Sequence, residues 1–307
     1  MPEIAVVISC HSSDRLHLID AAVRSAQRQT LSPAQIVVVV DHHPALARRL
    51  AGRWPGVTVV ENDRARGASG TRNTGASSAT TEYVAFLDDD VCAQPQWLAQ
   101  LVGAFGPAGV VGAGGRVLPD WIAPPWWFPE EFNWVVGATY TDDQHHTVVR
   151  NVWAENMIVR VEDFRAVGGF RTGFGKLGDL SRPEDTDLCI RMAAARGGHW
   201  VHVPDAVVVH HVPRTRSTYR FFLRRCVDEG RGKADLAAIL PRSSPVLTTE
   251  RSYVRRTLPR AFATYLACGA RQRRPGEVVR SVNLAVGLSA TVLGYAGQRL
   301  RGPGRRT

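Results

Sequence analysis

The sequence lacks the cysteine pattern of a disulfide framework or of a zinc site. No CxxC pair occurs, and the five cysteines are widely separated along the chain, at Cys10, Cys92, Cys189, Cys226 and Cys268. This spacing argues against both a disulfide-stabilised small domain and the usual structural zinc sites. We therefore expect reduced thiols in a cytosolic protein.

Long apolar runs are also scarce. The first residues, MPEIAVVISCHSSDR, contain a short apolar run without a basic flank, which predicts a first β-strand rather than a signal peptide. No segment reaches the roughly 18 uninterrupted apolar residues expected of a membrane span. The nearest candidate, from Ser281 to Gly297, contains Ser, Asn, Thr and three Gly, so we do not expect it to span a membrane.

The charge is distributed unevenly along the 307 residues. Residues 1–212 hold 18 basic and 23 acidic side chains, a net charge of −5, whereas residues 213–307 hold 20 basic and 5 acidic ones, a net charge of +15. A basic C-terminal part indicates anionic partners such as lipid headgroups or phosphorylated substrates. No nucleic-acid-binding motif accompanies the arginines, so we expect no nucleic acid partner.

Apolar strand-like runs alternate with helical patterns in the first part of the chain. The runs EIAVVISC, AQIVVVVDHH, GVTVVEN and YVAFLDDD are separated by segments with helical spacing or by a Gly-rich segment. This alternation predicts an α/β fold with a parallel sheet covered on both faces. Ligands collect at the carboxyl ends of such strands, where we expect Ser9, Asp41, Asn62 and the run from Asp88 to Asp90 to converge. A later stretch, HWVHVPDAVVVHHV, predicts a further pair of strands.

Three consecutive carboxylates, Asp88, Asp89 and Asp90, follow the fourth of these runs. Adjacent carboxylates repel one another unless a divalent cation lies between them, and Mg²⁺ or Mn²⁺ prefers oxygen ligands. In an extended segment Asp88 and Asp90 project to the same side and Asp89 to the other. The alternative interpretation is a solvated acidic turn.

Together these pieces resemble the family 2 glycosyltransferases, which have the GT-A nucleotide-sugar fold. Six segments of the chain match that family's motifs and occur in the same order: SCHSSDR, VVVVDHH, RGASGTRNTG, FLDDDV, RPEDTDLCIRM and VVVHHV. The resemblance covers roughly residues 4–215. It implies a GT-A domain over residues 1–215, with a mostly parallel sheet and helices on both faces. Residues 216–307 are then expected to form a basic, helical C-terminal extension.

The resemblance implies a nucleotide-sugar donor, and we expect a UDP-sugar. The residues expected to bind it are Ser9, His11, Asp41, Gly67, Arg72, Asn73, Asp88 and Asp89. It further implies Mn²⁺ or Mg²⁺ as cofactor, held by Asp88, Asp90 and His210, with His211 as the alternative to His210. Asp185 is expected to be the catalytic base. Glu184 is expected to hold the acceptor or to adjust the pKa of Asp185. The reaction is expected to be a single displacement that inverts the configuration at the anomeric carbon.

The acceptor is less specified. The aromatic segment PPWWFPEEFNWVVGATY is similar to one found in members that build glycans on lipid carriers or assemble exported polysaccharides. It suggests Trp127, Glu130, Glu131 and Trp134 as acceptor-binding residues, and the alternative is a Trp-rich packing lid. A glycan, a polyprenyl-phosphate-linked molecule and a small molecule all stay open as acceptors. The basic extension predicts a cytoplasmic enzyme able to associate with an anionic membrane surface, at the inner face of the cell membrane.

Other classes of protein remain as alternatives. The run AFLDDDV also fits a haloacid-dehalogenase-type phosphatase, with Asp88 as nucleophile and Asp90 as general acid. A nucleotidyltransferase would normally carry a Gly-rich basic signature after its first strand, and SCHSSDR does not have one. A non-catalytic protein that binds a membrane surface is the third alternative.

Overall fold

The computed structural model of the protein describes residues 2–140, 146–177, 180–241 and 244–301. It divides into two compact units. The first, here called the sheet unit, consists of Met1–Leu118, Asp143–Asp179 and Glu184–His210. The second, the helical unit, consists of Pro119–Asp142, Leu180–Pro183 and His211–Thr307. Residues 302–307 of the predicted extension lie outside the described residues.

The strands are short except for two. They are β1 (Ile4–Cys10), β2 (Gln35–Val40), β3 (Val57–Glu61), β4 (Tyr83–Asp88), β5 (Val91–Ala93), β6 (Val110–Trp121), β7 (Thr147–Val149), β8 (Met157–Arg160), β9 (Gly175–Leu177), β10 (Leu180–Arg182) and β11 (His199–Val212).

The helices are α1 (Leu16–Gln27), α2 (Pro44–Leu50), α3 (Ala68–Ser78), α4 (Trp97–Gly103), α5 (Val161–Ala166), α6 (Glu184–Arg196), α7 (Tyr219–Ile239), α8 (Thr248–Ser252), α9 (Leu258–Gln272) and α10 (Pro275–Arg301). A π-helical turn over Tyr253–Thr257 joins α8 to α9.

The main sheet is mixed. Its strand order is β3-β2-β1-β4-β8-β6-β11-β5, with β7 pairing to β11. The first four strands in this order are parallel, as the alternation of strands and helices predicts. β8 pairs antiparallel with both β4 and β6, and β11 pairs antiparallel with β5 and β7. The predicted sheet was mostly parallel, so the antiparallel half is a finding of the structure.

Helices cover both faces of the sheet, as predicted. On one face α1, α2 and α4 pack on alternate residues of β1, β2 and β4, with Ile19, Leu46 and Trp97 buried. On the other face α3, α5 and α6 pack on the intervening residues, with Phe164 and Leu188 buried. Because side chains alternate along a strand, a fully apolar strand supplies both cores.

The helical unit is built around an aromatic core and a close pair of helices. α7 and α10 approach at glycines: a Cβ on Gly230 would overlap backbone atoms of Thr291, and one on Gly294 would overlap the carbonyl oxygen of Val227.

Among the described residues one helix, α10, is long and apolar enough to cross a membrane by length and composition. Core helices of soluble proteins also meet that criterion.

Candidate active site

The carboxyl ends of β1 and β4 lie side by side. The parallel register pairs Ser9 with Asp88, and Oγ of Ser9 donates a hydrogen bond to Oδ1 of Asp88 at 3.1 Å. His11 lies one residue beyond β1 and is exposed. The structure thus brings the predicted residues of these two strands to the same edge of the sheet.

Asp41 follows β2 and holds the loop that leads into α3. Its Oδ1 accepts a hydrogen bond from Nδ2 of Asn62 at 2.7 Å, and its Oδ2 accepts one from the backbone N–H of Gly67 at 2.9 Å. Gly67 has a φ of 116°, a conformation that favours glycine. Asp41 therefore fixes the backbone at the start of the Gly-rich helix, and its predicted contact with a nucleotide stays a prediction.

Asn73 has a structural role that is visible in its hydrogen bonds. Its Nδ2 donates to the carbonyl of Phe170 at 2.7 Å, and its Oδ1 accepts from the N–H of the same residue at 2.9 Å. The side chain is buried. Both ends of the amide thus tie α3 to the loop after α5, which orients the neighbouring Arg72.

Arg72 connects the two acidic motifs. Its Nη2 donates to Oδ1 of Asp88 at 2.7 Å and its Nη1 donates to Oε1 of Glu184 at 3.0 Å. The Arg72 side chain is only 4% exposed, so these ion pairs are screened little by solvent. One guanidinium therefore fixes the separation between the end of β4 and the start of α6.

A second arginine, Arg15, holds the rest of the aspartate run. Its Nη1 donates to Oδ1 of Asp89 at 2.8 Å and to Oδ2 of Asp90 at 3.0 Å. β4 ends at Asp88 and the chain turns at Asp89 and Asp90, so the alternation expected for an extended segment does not continue and these two share one partner. Burial raises the pKa of Asp89 to about 7, against the opposing effect of Arg15.

No role was predicted for Arg15 from the sequence. A signal was available, because Arg15 is the one basic residue in the polar segment that follows β1, at the edge where ligands collect.

His210 lies next to the aspartate run. The antiparallel register pairs it with Val91, and its Nε2 is 3.5 Å from Oδ2 of Asp90. His211 instead has Asp120 as its acidic neighbour, at 3.8 Å. Of the two histidines that the sequence left open, His210 is therefore the one beside Asp90.

Glu184 and Asp185 open α6. Oδ1 of Asp185 accepts a hydrogen bond from the backbone N–H of Thr186 at 2.6 Å. Burial raises the pKa of Glu184, and Arg72 opposes this shift. Glu184 is thus an internal partner of Arg72, while Asp185 lies at the helix N-terminus, where a carboxylate is stabilised by the helix dipole.

Another carboxylate, Glu155, was missed by the sequence analysis. It lies in the 3-10 turn Ala154–Asn156, which leads into β8. Burial raises its pKa, and its charged neighbours include His210, Asp88 and Arg72. The available signal was a lone acidic residue within the stretch VWAENMIV, in which Asn156 is the one other polar residue.

The donor atoms at this edge suit a divalent cation. Carboxylate oxygens and an imidazole nitrogen are available from Asp88, Asp90 and His210, and Mn²⁺ accepts both ligand types. Oδ2 of Asp89 is buried and has no hydrogen-bond partner among the described residues. Within those residues, however, no group of three or more His, Cys, Asp or Glu side chains is close enough to form a ready-made metal site.

The four predicted acceptor-binding residues belong to the helical unit. Trp127 packs edge-on against Tyr219, with ring centroids 5.0 Å apart. Nε1 of Trp134 donates to the hydroxyl of Tyr253 at 3.4 Å. Glu131 is buried, and its Oε2 accepts from the hydroxyl of Tyr265 at 3.0 Å.

Glu130 has a different environment from these three. It lines an open cavity of about 350 Å³, together with Trp121, Phe128, Asn133 and Arg280. Of the four predicted acceptor residues, Glu130 is the one that lines this cavity, and the other three take part in packing or hydrogen bonds of the helical unit.

Comparison with known proteins gives one family. The family described as Glycosyl transferase family 2 matches residues 5–168. A Haloferax volcanii protein, Glucosyl-dolichyl phosphate glucuronosyltransferase, is 31% identical over 249 residues, which are 79% of this chain and 80% of that protein.

Solved structures show the same fold. Mannosyltransferase PcManGT from Pyrobaculum calidifontis, in complex with GDP-Man and Mn²⁺, superposes with a TM-score of 0.62 at 20% identity, over 97% of this chain and 87% of its own. GalNAc-T7 with UDP, GalNAc and Mn²⁺ has a TM-score of 0.53 at 19% identity, over 69% of this chain and 43% of its own. The predicted GT-A fold is confirmed, and the phosphatase alternative is not favoured.

Proposed function

Because the chain belongs to glycosyl transferase family 2 and is a glycosyltransferase, we propose that it moves a sugar from a nucleotide-diphosphate sugar to an acceptor hydroxyl or phosphate, with inversion at the anomeric carbon. The observation that carries this proposal is the double ion pair of Arg72 with Asp88 and Glu184. It holds Asp88, on the proposed side of the diphosphate, and Glu184, on the proposed side of the acceptor, at a fixed separation. A single displacement requires the donor and the acceptor to be positioned in this way.

For the cofactor we propose Mn²⁺ or Mg²⁺, held by Asp88 and Asp90 with His210 beside them. The cation would neutralise charge on the departing nucleotide diphosphate. Two observations support it: the donor atoms at this edge suit the ion, and two solved neighbours contain Mn²⁺. Arg72 and Arg15 already balance the two aspartates, so binding the cation requires the carboxylates to be shared with these arginines.

For the base we propose Asp185. An acceptor hydroxyl must lose a proton as it attacks, and a carboxylate across the sugar from the diphosphate can take it. Glu184 is bound to Arg72 at 3.0 Å, whereas Asp185 lies at the N-terminus of α6 and accepts a hydrogen bond from the backbone N–H of Thr186, so we assign the proton transfer to Asp185. Glu184 then acts by positioning α6 relative to β4.

For the donor we propose a UDP-sugar first. UDP is present in the GalNAc-T7 structure, while the mannosyltransferase structure contains GDP-Man. The hydrogen bond from Gly67 to Asp41 supports a role for this loop, because it fixes the backbone where a nucleotide would approach. Thermal unfolding with four nucleoside diphosphates identifies the nucleobase of the donor.

For the acceptor we propose a polyprenyl-phosphate-linked molecule, in preference to a free glycan or a small molecule. The Haloferax volcanii relative bears the name of an enzyme acting on glucosyl-dolichyl phosphate. The helical unit has features that suit a membrane surface. α10 exposes Leu293 to 71% and Leu300 to 89%, and Trp126 is 63% exposed.

Exposed arginines accompany these apolar side chains. The exposed arginines around α9 are Arg255, Arg256, Arg260, Arg271, Arg273 and Arg274. A surface that combines apolar side chains with cations binds anionic lipid headgroups. We therefore propose peripheral association with an anionic membrane, which flotation of the full chain with vesicles should detect: binding to vesicles with anionic lipid, and none to zwitterionic ones. Equal binding to both would contradict the electrostatic part.

The donor site is tested by thermal unfolding. The full chain is heated with UDP, GDP, dTDP or CDP, each with and without Mn²⁺. Asp90→Ala is compared with Asp205→Ala, an exposed aspartate of β11. Saturation at about 100 times Kd stabilises by about 2.7 kcal/mol, so one nucleotide should raise Tm in a manganese-dependent way in the wild type and in Asp205→Ala but not in Asp90→Ala. No shift with any nucleotide would contradict the proposal.

The base is tested by turnover. Asp185→Asn should abolish transfer from the identified donor to a polyprenyl-phosphate-linked acceptor, measured by mass spectrometry, while the Kd for the nucleotide stays unchanged. The configuration of the wild-type product, read by NMR, should be inverted. Near-normal turnover of Asp185→Asn, or a retained configuration, would refute this assignment without touching the donor site.

A further inference from the structure

We infer that Glu155 binds a hydroxyl group of the sugar carried by the donor, an inference that rests on the proposed function. It concerns a residue outside the motifs that carry the family resemblance.

The position of Glu155 is fixed by its neighbour. Nδ2 of Asn156 donates to the carbonyls of Arg116 and Ala206, at 3.1 and 3.0 Å, and its Oδ1 accepts from Nε1 of Trp97 at 2.7 Å. Asn156 is fully buried. Three hydrogen bonds to three different elements hold the backbone here, so the Glu155 side chain starts from a rigid point.

The end of the β4–β8 pair brings Glu155 close to the aspartate run. β4 and β8 are antiparallel, and Phe86 lies opposite Met157. Asp88 ends β4 two residues beyond Phe86, and Glu155 lies in the 3-10 turn two residues before Met157, so both residues are at the same end of this strand pair. Asp88, Asp90 and Arg72 are among the charged groups that act on Glu155.

Two buried polar atoms of opposite kind lack partners in this cluster. Oε1 of Glu155, an acceptor, and Nε of Arg72, a donor, are both buried without a hydrogen-bond partner among the described residues. Their side chains are close enough to interact electrostatically. Leaving such atoms unsatisfied is costly. A hydroxyl group both donates and accepts, so a single sugar hydroxyl is suited to satisfy the Glu155 acceptor and to present its own oxygen to Arg72.

The charge of the cluster selects a neutral ligand at this point. Asp88, Asp90 and Glu184 are the carboxylates around Glu155 and Arg72, and a further phosphate or carboxylate would be repelled by them. In the proposed reaction the diphosphate lies beside Asp88 and the acceptor lies beside Glu184, the two carboxylates that Arg72 binds. The part of the donor between these ends is the sugar, whose polar groups are mostly hydroxyls.

The test compares two affinities for the same protein. Isothermal titration of the full chain with Mn²⁺, without acceptor, gives Kd for UDP and UDP-glucose and for GDP and GDP-mannose. The quantity of interest is the ratio of the Kd of the nucleotide to the Kd of its sugar conjugate. Glu155→Ala should lower this ratio by about tenfold, the loss expected for a hydrogen bond to a charged group, and leave the Kd of the nucleotide within about twofold of wild type.

Glu155→Gln keeps the shape and an acceptor oxygen, so it should lower the ratio less than Glu155→Ala. Glu162→Gln is the matched control, because Glu162 is an exposed carboxylate of the same unit, and its ratio should equal that of wild type. A purely structural role would change both affinities together and leave the ratio constant.

The outcomes separate this inference from the proposed function. A constant ratio in Glu155→Ala, an equal loss of nucleotide affinity, or failure of both variants to fold would overturn the role of Glu155 while the glycosyltransferase proposal stands. If the wild type binds none of the four ligands, both fail together. A lowered ratio with unchanged nucleotide affinity supports the inference.

Discussion

Replacing Arg72 with Met should destabilise the sheet unit by about 3 kcal/mol. Removing one partner of a buried ion pair typically costs about 3–5 kcal/mol, because the remaining charge is left uncompensated. We expect the lower end of that range here, since the Asp88 and Glu184 side chains are 27% and 18% exposed and water can partly replace the guanidinium. Met fills a similar volume, so little of the loss should come from a cavity.

A smaller contribution comes from an aromatic ring. The Arg72 guanidinium lies 5.5 Å from the ring centroid of Phe170, a cation–π contact worth about 0.5–2 kcal/mol. Met retains apolar contact with this ring, so only the electrostatic part of the interaction is lost.

The assay is equilibrium unfolding in urea, followed by tryptophan fluorescence. Arg64→Met is the matched control: Arg64 is in the same region, its side chain is 45% exposed, and it donates to Oγ of Ser77 at 2.9 Å. Replacing such an exposed arginine should change the free energy of unfolding by no more than about 0.5 kcal/mol. If Arg72→Met unfolds within about 1 kcal/mol of Arg64→Met, the double ion pair does not organise the site as described.

Two further predictions concern the helical unit. Gly294→Ala should destabilise it by about 2 kcal/mol, because the new Cβ overlaps the carbonyl of Val227. Gly297→Ala in the same helix is the control: its Cβ meets no neighbouring atom, and it should stabilise by up to about 1 kcal/mol. Equal urea midpoints for the two variants would contradict the close packing of α7 on α10. Glu131→Gln should raise stability above about pH 4.5 by an amount that grows with pH. Burial raises the pKa of Glu131 in the folded state, so the folded chain binds more protons than the unfolded one, and wild-type stability falls as pH rises through that window. Parallel stability–pH curves for wild type and variant would refute this.

The parallel half of the sheet could be predicted from sequence, and the antiparallel half could not. The runs that form β1, β2 and β4 are apolar on both faces and alternate with helices, a pattern that implies parallel neighbours. The pairing of β8, β6 and β11 depends on contacts between segments that are distant in sequence. An apolar run does not indicate whether the strand beside it is parallel or antiparallel. β11 is one strand of 14 residues rather than the predicted pair, because Pro204 and Asp205, which resemble a turn, lie within it.

The candidate site divides in a similar way. The acidic motifs were found because adjacent carboxylates are unusual in any sequence. Glu155 belongs to no motif, and Arg15 ends the segment SCHSSDR without any feature that marks it as a partner of carboxylates. Only folding brings these two residues to the aspartate run. The aromatic segment was the least informative, since large rings fill cores as readily as they stack on sugars, and Trp127 does the former.

The glycine contacts between α7 and α10 bear on how the chain can be shortened. α10 is C-terminal and comes after the last residue that carries a proposed catalytic role, so it looks like a removable appendage. Yet the backbone of α7 at Gly230 rests directly on that of α10, and Phe222 and Leu284 share one core. A chain truncated before residue 275 would leave a bare groove along α7 and an open aromatic core. Truncation should therefore yield an aggregating protein rather than a minimal catalytic domain.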